Sequence, residues 1–292
     1  MPAAALSNHQ DYRRDMIENN ARLLPRGTVY TAVSGSYSAN RHQNTADKSH
    51  EQTLTAGVFY GVSDSLTIGG TIGGGHEKID TRQGSRLKGN AVFAGAYAVK
   101  GFGRLTLTAG AAYGQASLKG QRYVGNGYDA HLFDARIKPT VASTFVETKY
   151  AIPVGERFQI VPKAMLAYNR VRTKGVNETG IGGLNVRSQR ANTVDAGAGS
   201  DFVLSAPLGA GKISGKLSLD YIHTSGLKDL NASFQGGSTF SLHTDRNRST
   251  FRAGLSGEYE TVGGMVFRLG LADSIRKSRN NLNTHIGFGM KF

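Results

Sequence analysis

At 292 residues, with 39 glycines, only 6 prolines and an apolar share of 39%, the chain has room for two ordinary domains or one large all-β domain and gives no sign of a large dry core. The absence of cysteine excludes disulfides and thiolate metal sites, and with a mean hydropathy of -0.32 no apolar run is long enough for a helical membrane span. The net charge of +14 invites a nucleic-acid reading, but Lys and Arg are spread along the whole length without a basic block or an aromatic-interleaved basic stretch. No nucleic-acid partner is therefore expected, and an anionic surface such as lipid headgroups fits at least as well.

The first residues, MPAAALSNHQ, have neither a basic nor an apolar segment of the kind a secretory signal needs. That leaves a cytosolic protein or a piece of a longer precursor. Residues 8–24 lack Gly and Pro, open after Ser7-Asn8 as an N-cap and end at Pro25, which predicts a helix roughly 25 Å long. Its charges, Asp11, Arg13, Arg14, Asp15, Glu18 and Arg22, lie on several faces, so the helix suits a wet surround better than an apolar core.

From Gly27 onward the period is two. Leu105, Leu107, Ala109, Ala111 and Tyr113 alternate with Thr106, Thr108, Gly110, Ala112 and Gly114, and Phe158, Ile160, Pro162, Ala164, Leu166 and Tyr168 alternate with Gln159, Lys163 and Asn169. Twelve such segments are predicted, at 28–40, 50–62, 65–77, 87–100, 104–118, 139–152, 157–172, 190–205, 212–224, 249–261, 264–275 and 281–292. Short connections (Val-Ser-Asp, Gly-Phe-Gly, Val-Gly-Glu, Pro-Leu-Gly-Ala-Gly, Val-Gly-Gly) alternate with long polar ones near 41–49, 78–86, 119–138, 173–189, 225–248 and 276–280. Tight turns at one end and long loops at the other, with an even strand number, describe an antiparallel transmembrane β-barrel of the outer-membrane type. A soluble sandwich would bury its apolar face around bulky aliphatics. Here Tyr37, Tyr60, Tyr97, Tyr113, Tyr150, Tyr168, Tyr221 and Tyr259 fall in the apolar phase, as interfacial girdles require, although Trp is absent.

The chain closes on NNLNTHIGFGMKF, in which Thr284, Ile286, Phe288, Met290 and Phe292 share one face. Such a strand resembles the C-terminal assembly signal of bacterial outer-membrane barrels, which makes Ile286, Phe288, Met290 and Phe292 the assembly residues. With the segment RFQIVPKAMLAYNRV, an apolar strand with a central Pro and a small-apolar-aromatic tail, nearly the whole chain resembles the translocator (β) domain of the autotransporters, the type V secretion proteins. The resemblance implies an all-β fold: a twelve-stranded barrel in the bacterial outer membrane, preceded by a helix threading the lumen. The division becomes 1–26 for linker and luminal helix and 27–292 for the barrel. It implies a monomer that anchors, and helps export, an upstream passenger, alone or with the barrel-assembly machinery, with signal and passenger preceding Met1.

A barrel of this size has a lumen wide enough for one helix. Its polar phase offers Glu51, Lys88, Lys100, Glu147, Lys149, Lys163, Asp195, Lys212, Lys216, Asp220, Arg252, Glu258, Arg268 and Lys291. Ion pairs between Arg13, Arg14, Asp15 and Glu18 of the helix and Glu147, Lys163, Asp195, Asp220, Arg252, Glu258 and Arg268 of the wall are expected to hold the plug. Rim cations, among them Arg172, Lys174, Arg187, Arg190, Arg246, Arg248, Arg276, Lys277 and Arg279, suit the phosphates of lipopolysaccharide, beside the lipid itself.

No cofactor or metal is expected, and no enzyme. Some autotransporters cut an Asn-Asn bond inside the lumen, and Asn19-Asn20 is the one candidate, but Ala-Arg-Leu-Leu-Pro follows it where that subfamily carries a longer basic link. A barrel phospholipase or protease would need a Ser-His or Asp-His site. His243 and Asp245 share one loop, Gly254-Leu255-Ser256-Gly257 is not a nucleophile elbow, and Gly69-Gly70 and Gly73-Gly74-Gly75 lack the Lys-Ser/Thr of a phosphate loop. A diffusion porin, with 119–138 or 225–248 folded inward, is the other alternative.

Overall fold

The computed structural model describes residues 21–42, 48–80, 85–124, 131–178, 183–226, 230–234, 239–242, 249–276 and 279–292. They form β1 (Val29–His42), β2 (Lys48–Ser63), β3 (Leu66–Asp80), β4 (Arg86–Phe102), β5 (Leu105–Val124), β6 (His131–Ile137), β7 (Pro139–Tyr150), β8 (Ile152–Val154) and β9 (Phe158–Thr173). There follow β10 (Val176–Asn177), β11 (Leu184–Val186), β12 (Gln189–Leu208), β13 (Gly211–Ser225), β14 (Leu230–Phe234), β15 (Thr239–Leu242), β16 (Ser249–Glu260), β17 (Met265–Arg276) and β18 (Arg279–Lys291). β6, β7 and β8 are three pieces of one long strand, interrupted at Lys138 and Ala151. Proline lies at both breaks, because a residue without an N–H cannot donate to the ladder: Pro139 opens β7, and Pro162 falls where the β7–β9 pairing stops at Lys149–Lys163 and before β8 resumes it at Ile152–Ile160.

Counting that strand once, twelve antiparallel staves form a ring. Each pairs with the next in sequence, β9 pairs with β12, β13 with β16, and β18 with β1. Closure runs to the last residue: the Val29 N–H donates to the Phe292 carbonyl at 3.1 Å and the Phe292 N–H to the Val29 carbonyl at 2.8 Å. Carried from stave to stave, the register of Ala32 returns to β1 about fourteen residues further along. For twelve strands about 4.8 Å apart, that stagger requires a tilt of about 40° and a backbone diameter of about 24 Å. Side chains from both walls narrow this to roughly one α-helix, about 10–12 Å across.

The period-two pattern sorts as a membrane barrel must. On β9, Leu166 and Tyr168 face outward and are exposed, while Lys163, Ala167 and Asn169 face the lumen. The final strand follows the predicted phase. Ile286, Phe288 and Phe292 are exposed on the outside, Phe292 at 68%, and Met290 shares their phase. Short connections at one end turn on glycines in the left-handed region: Gly103, Gly155, Gly209 and Gly264 all have φ between 58° and 80°.

Five expectations need correction. Tyr97 is 4% exposed and faces the lumen, not the girdle, because on β4 both phases are apolar and the inward one carries Phe93, Tyr97 and Val99. Lys88 is exposed on the outer phase of the same strand, and Lys100 lies at its foot, also in the outer phase, where its Nζ donates to the Ser65 hydroxyl at 2.9 Å. The expected long connection at 276–280 is a tight one, since Arg276 of β17 pairs with Arg279 of β18. The regions 173–189 and 225–248, read as polar loops, contribute β10, β11, β14 and β15, which form a separate four-stranded sheet at the loop end. Finally, residues 21–25 are not helical: Pro25 disfavours the α conformation at Leu24, whose N–H donates to the wall instead. The remainder of the predicted helix, 8–20, lies outside the described residues.

Candidate functional site

The lumen is where inward side chains, and the segment leading into β1, meet. Residues 26–28 are stitched to the turn end of β2 and β3: the Arg26 N–H donates to Asp64 Oδ1 at 2.9 Å and the Gly27 N–H to the Gly61 carbonyl at 2.8 Å. A Cβ on Gly61 would collide with the Pro25 carbonyl, so this crossing needs glycine there. From that point the chain runs into the barrel. The Leu24 N–H donates to Thr67 Oγ1 of β3 at 2.8 Å, and the Leu24 side chain, 1% exposed, packs in a cluster with Tyr30, Phe59, Tyr97, Val99 and Val266. Leu23 lies against Gly101 of β4. Arg22 reaches to the far wall, where its guanidinium donates to Glu258 Oε2 of β16 at 2.7 Å and stands 4.9 Å from the centre of the Tyr30 ring. Residues 22–24 therefore cross the lumen near its turn end.

The wall has two characters. Along β1–β5 and β7 it is aromatic and glycine-rich. Tyr30, Phe59 and Tyr97 stack at centroid distances of 5.7 and 5.5 Å, and Phe59 lies so flat on Gly57 and Gly69 that a Cβ at either would strike its ring. Phe145 does the same at Gly110, and Tyr30 at Gly289. Higher on this side Glu51 and Glu77, both buried, are direct cross-strand neighbours.

Along β9–β17 the wall is charged. Lys163 Nζ lies 2.7 Å from Asp201 Oδ1 and 2.9 Å from Asp220 Oδ1, with Arg252 at 3.7 Å from the other Asp220 oxygen. Lys149 pairs with Glu147 at 2.8 Å beside them. Asp195 is fully buried and ties three staves: it accepts from Asn169 Nδ2 of β9 at 3.0 Å and from Thr224 Oγ1 of β13 at 2.8 Å. Glu258 holds Arg268 as well as Arg22, and Lys291 pairs with Glu260. Because the polar phase is continuous, Glu147, Lys163, Asp195, Asp220, Arg252, Glu258 and Arg268 all fall in the inward phase of their strands. Three features escaped the sequence reading. Asp201 is the same inward phase as Asp195, six residues on, and could have been found by counting. Arg22 could not, since a helix was assigned across it, and the Tyr30–Phe59–Tyr97 stack could not, because aromatics in either phase of a barrel strand look alike. Arg13, Arg14, Asp15, Glu18, Asn19 and Asn20 lie outside the described residues.

A closed antiparallel ring with an apolar exterior, a polar lumen, tight turns at one end and long connections at the other is a transmembrane β-barrel of the outer-membrane type. The autotransporter β-domain family model matches residues 29–271, and the chain belongs to that family. Its fold is similar to the translocator domain of the autotransporter NalP from Neisseria meningitidis (TM-score 0.81, 18% identity, covering 99% of this chain and 97% of that one). It is also similar to the β domain of the Bordetella autotransporter BrkA (TM-score 0.71, 17% identity, 91% and 100%) and to the transport unit of AIDA-I from Escherichia coli (TM-score 0.56, 12% identity, 97% of each). No curated protein matches the chain. The protein is thus an outer-membrane translocator, which anchors an autotransporter passenger and helps export it to the cell surface. Translocator barrels of this family are generally not enzymes.

Proposed function

We propose that residues 1–26 act as a linker and luminal α-helix that plugs the barrel once the passenger has passed, with 27–292 as the translocator barrel, a monomer. The observation that carries this is the course of residues 22–24, with Leu24 at 1% exposure inside the ring and Arg22 on the far wall. A helix continuing from there rises about 1.5 Å per residue, which brings Arg13 and Arg14 roughly 16 Å deeper into the lumen. Glu51 and Glu77, two neighbouring carboxylates on the wall, form the natural seat for that pair of arginines. Asp15 and Glu18 would turn to the cations of the opposite wall, Lys163, Arg252 and Arg268. Asn19 and Asn20 then serve as ordinary polar helix residues.

Single-channel recording in planar bilayers tests the plug. Deleting residues 1–24 should raise conductance severalfold, because a helix fills most of a lumen about 10–12 Å wide. Equal conductance with and without the segment would refute it. The last strand is proposed as the surface read by the barrel-assembly machinery. Phe292→Asp should stop assembly in cells while the purified chain still refolds in detergent, as followed by heat-modifiable gel mobility.

A further inference from the structure

Above the apolar band at the loop end, one sector of the outer wall gathers three arginines and no acid. Tyr168 of β9 faces outward opposite Val194 of β12, and both are exposed, which marks the edge of the lipid-facing surface. The next rung in the same phase pairs Arg170 with Asn192, and the rung above pairs Arg172 with Arg190. The two neighbouring positions on β6–β7 add no acid, since Ala142 stands beside Arg170 and Thr140 beside Arg172. Three guanidinium groups thus crowd one patch, repelling one another. Among the described residues none of them forms an ion pair, and the Arg170 Nε is shielded from solvent without a hydrogen-bond acceptor. A shielded donor beside two like charges is costly unless an anion completes the site. Elsewhere the outer wall is neutral, as where Tyr37 bonds His50 and Tyr221 bonds Ser249, or carries an acid beside its cations: Lys78, Lys88, Lys119 and Arg136 follow one another across β3–β6, and there Asp80 pairs with Lys78 and Arg86.

We propose that Arg170, Arg172 and Arg190 form a binding site for the phosphates of the lipopolysaccharide head group in the outer leaflet. The site faces lipid at headgroup height, not the lumen, so its ligand must be a membrane component and not a passing solute. Planar guanidinium forks match phosphate oxygens in pairs, and three of them suit a headgroup carrying more than one phosphate. Tyr168 below supplies an interfacial ring against which the sugar and the first acyl carbons can rest. Arg172 and Arg190 belong to the rim cations picked out by sequence; Arg170 joins them only through the β9–β12 register.

The full chain, refolded in detergent, is titrated with fluorescent diphosphoryl lipid A. Two variants are compared with it: Arg170→Gln/Arg172→Gln/Arg190→Gln, and a charge-matched control, Lys88→Gln/Lys119→Gln/Arg136→Gln, a row of three cations on the outer wall of β4–β6. The triple variant should lose about tenfold or more in affinity while the control stays within about twofold, with heat-modifiable mobility confirming folding in each. Should the triple variant fail to fold, Arg172→Lys keeps the charge but removes the fork, and should still weaken binding severalfold. Equal losses in triple variant and control would overturn the site. Competition by phosphatidylglycerol equal to that of lipid A would reduce the patch to a generic anionic surface, and displacement by inorganic phosphate at equal concentration would make it a free-anion site. Either result overturns the proposal.

Discussion

The two arcs of the lumen wall solve one problem in different ways. On the β1–β5 and β7 side rings lie on glycines of their own or the next stave: Phe59 on Gly57 and Gly69, Phe145 on Gly110. That interlock is dry, with Tyr30 and Phe59 almost fully buried, and it has one arrangement because a ring either lies flat or does not fit. On the β9–β17 side the contacts are ionic, and they chain from Asp201 through Lys163 and Asp220 to Arg252. These side chains are buried too, Lys163 at 7% and Asp201 at 6% exposure, but Lys163 and Asp220 each have a second partner within reach to which they can turn. The stiff arc holds the ring's shape, and the charged arc gives a polar segment, helix or unfolded passenger, a surface to slide along and then rest on.

The largest effect should come from the stiff arc. Phe59→Ala removes a ring that bridges the Tyr30–Tyr97 stack and should cost about 3–5 kcal/mol in urea unfolding from lipid vesicles. Gly69→Ala places a methyl group where that ring lies and should cost about 1–3 kcal/mol. Combined with Phe59→Leu the second penalty should largely vanish, since the two residues occupy one volume. Additive losses would mean the ring and the glycine do not depend on each other.

Replacing the central cation of the charged arc should cost less. Lys163→Met leaves Asp201 and Asp220 facing each other near Arg252 and Lys216, so the nearby cations take up part of the charge. With Arg252 still beside Asp220, a loss of about 1–3 kcal/mol is expected, against about 3–5 kcal/mol for a buried pair broken with no other partner at hand. The larger figure, from the same unfolding measurement, would erase the contrast between the arcs.

This contrast also explains which parts were legible in the sequence. Alternation between lipid and water is a strong signal, so twelve staves, the closing strand and the seven inward charges from Glu147 to Arg268 could be read without coordinates. Alternation fails where both phases carry apolar or small residues, as on β4, and there Tyr97 was assigned to the wrong face. Pairings such as Arg22–Glu258, or Arg170 beside Arg190, depend on stagger around the ring, which no single strand encodes. The four-stranded sheet at the loop end was missed because its strands are two to five residues long, too short for a period to emerge.

The smallest expected effect lies where the arcs meet, at Glu258. Its carboxylate accepts from Arg22 of the entering segment and from Arg268 of its own wall, and both guanidinium groups stand within 6 Å of the Tyr30 ring, which caps the stiff arc. Glu258→Gln keeps the shape and one acceptor oxygen but removes the charge. Glu258 is only part-buried, so barrel stability should change by less than about 1 kcal/mol. The segment, however, loses its ionic tie to the charged arc and keeps its contacts on the stiff one, Leu24 in the apolar cluster and Arg22 over the Tyr30 ring. Brief openings should therefore appear in single-channel records with the mean closed level unchanged, and they should become more frequent in the wild type too as salt is raised, since screening weakens the same tie. A Glu258→Gln barrel as quiet as the wild type at every salt concentration would show that Leu24 and the β2–β3 stitching hold the segment alone, and that the charged arc contributes nothing to its retention.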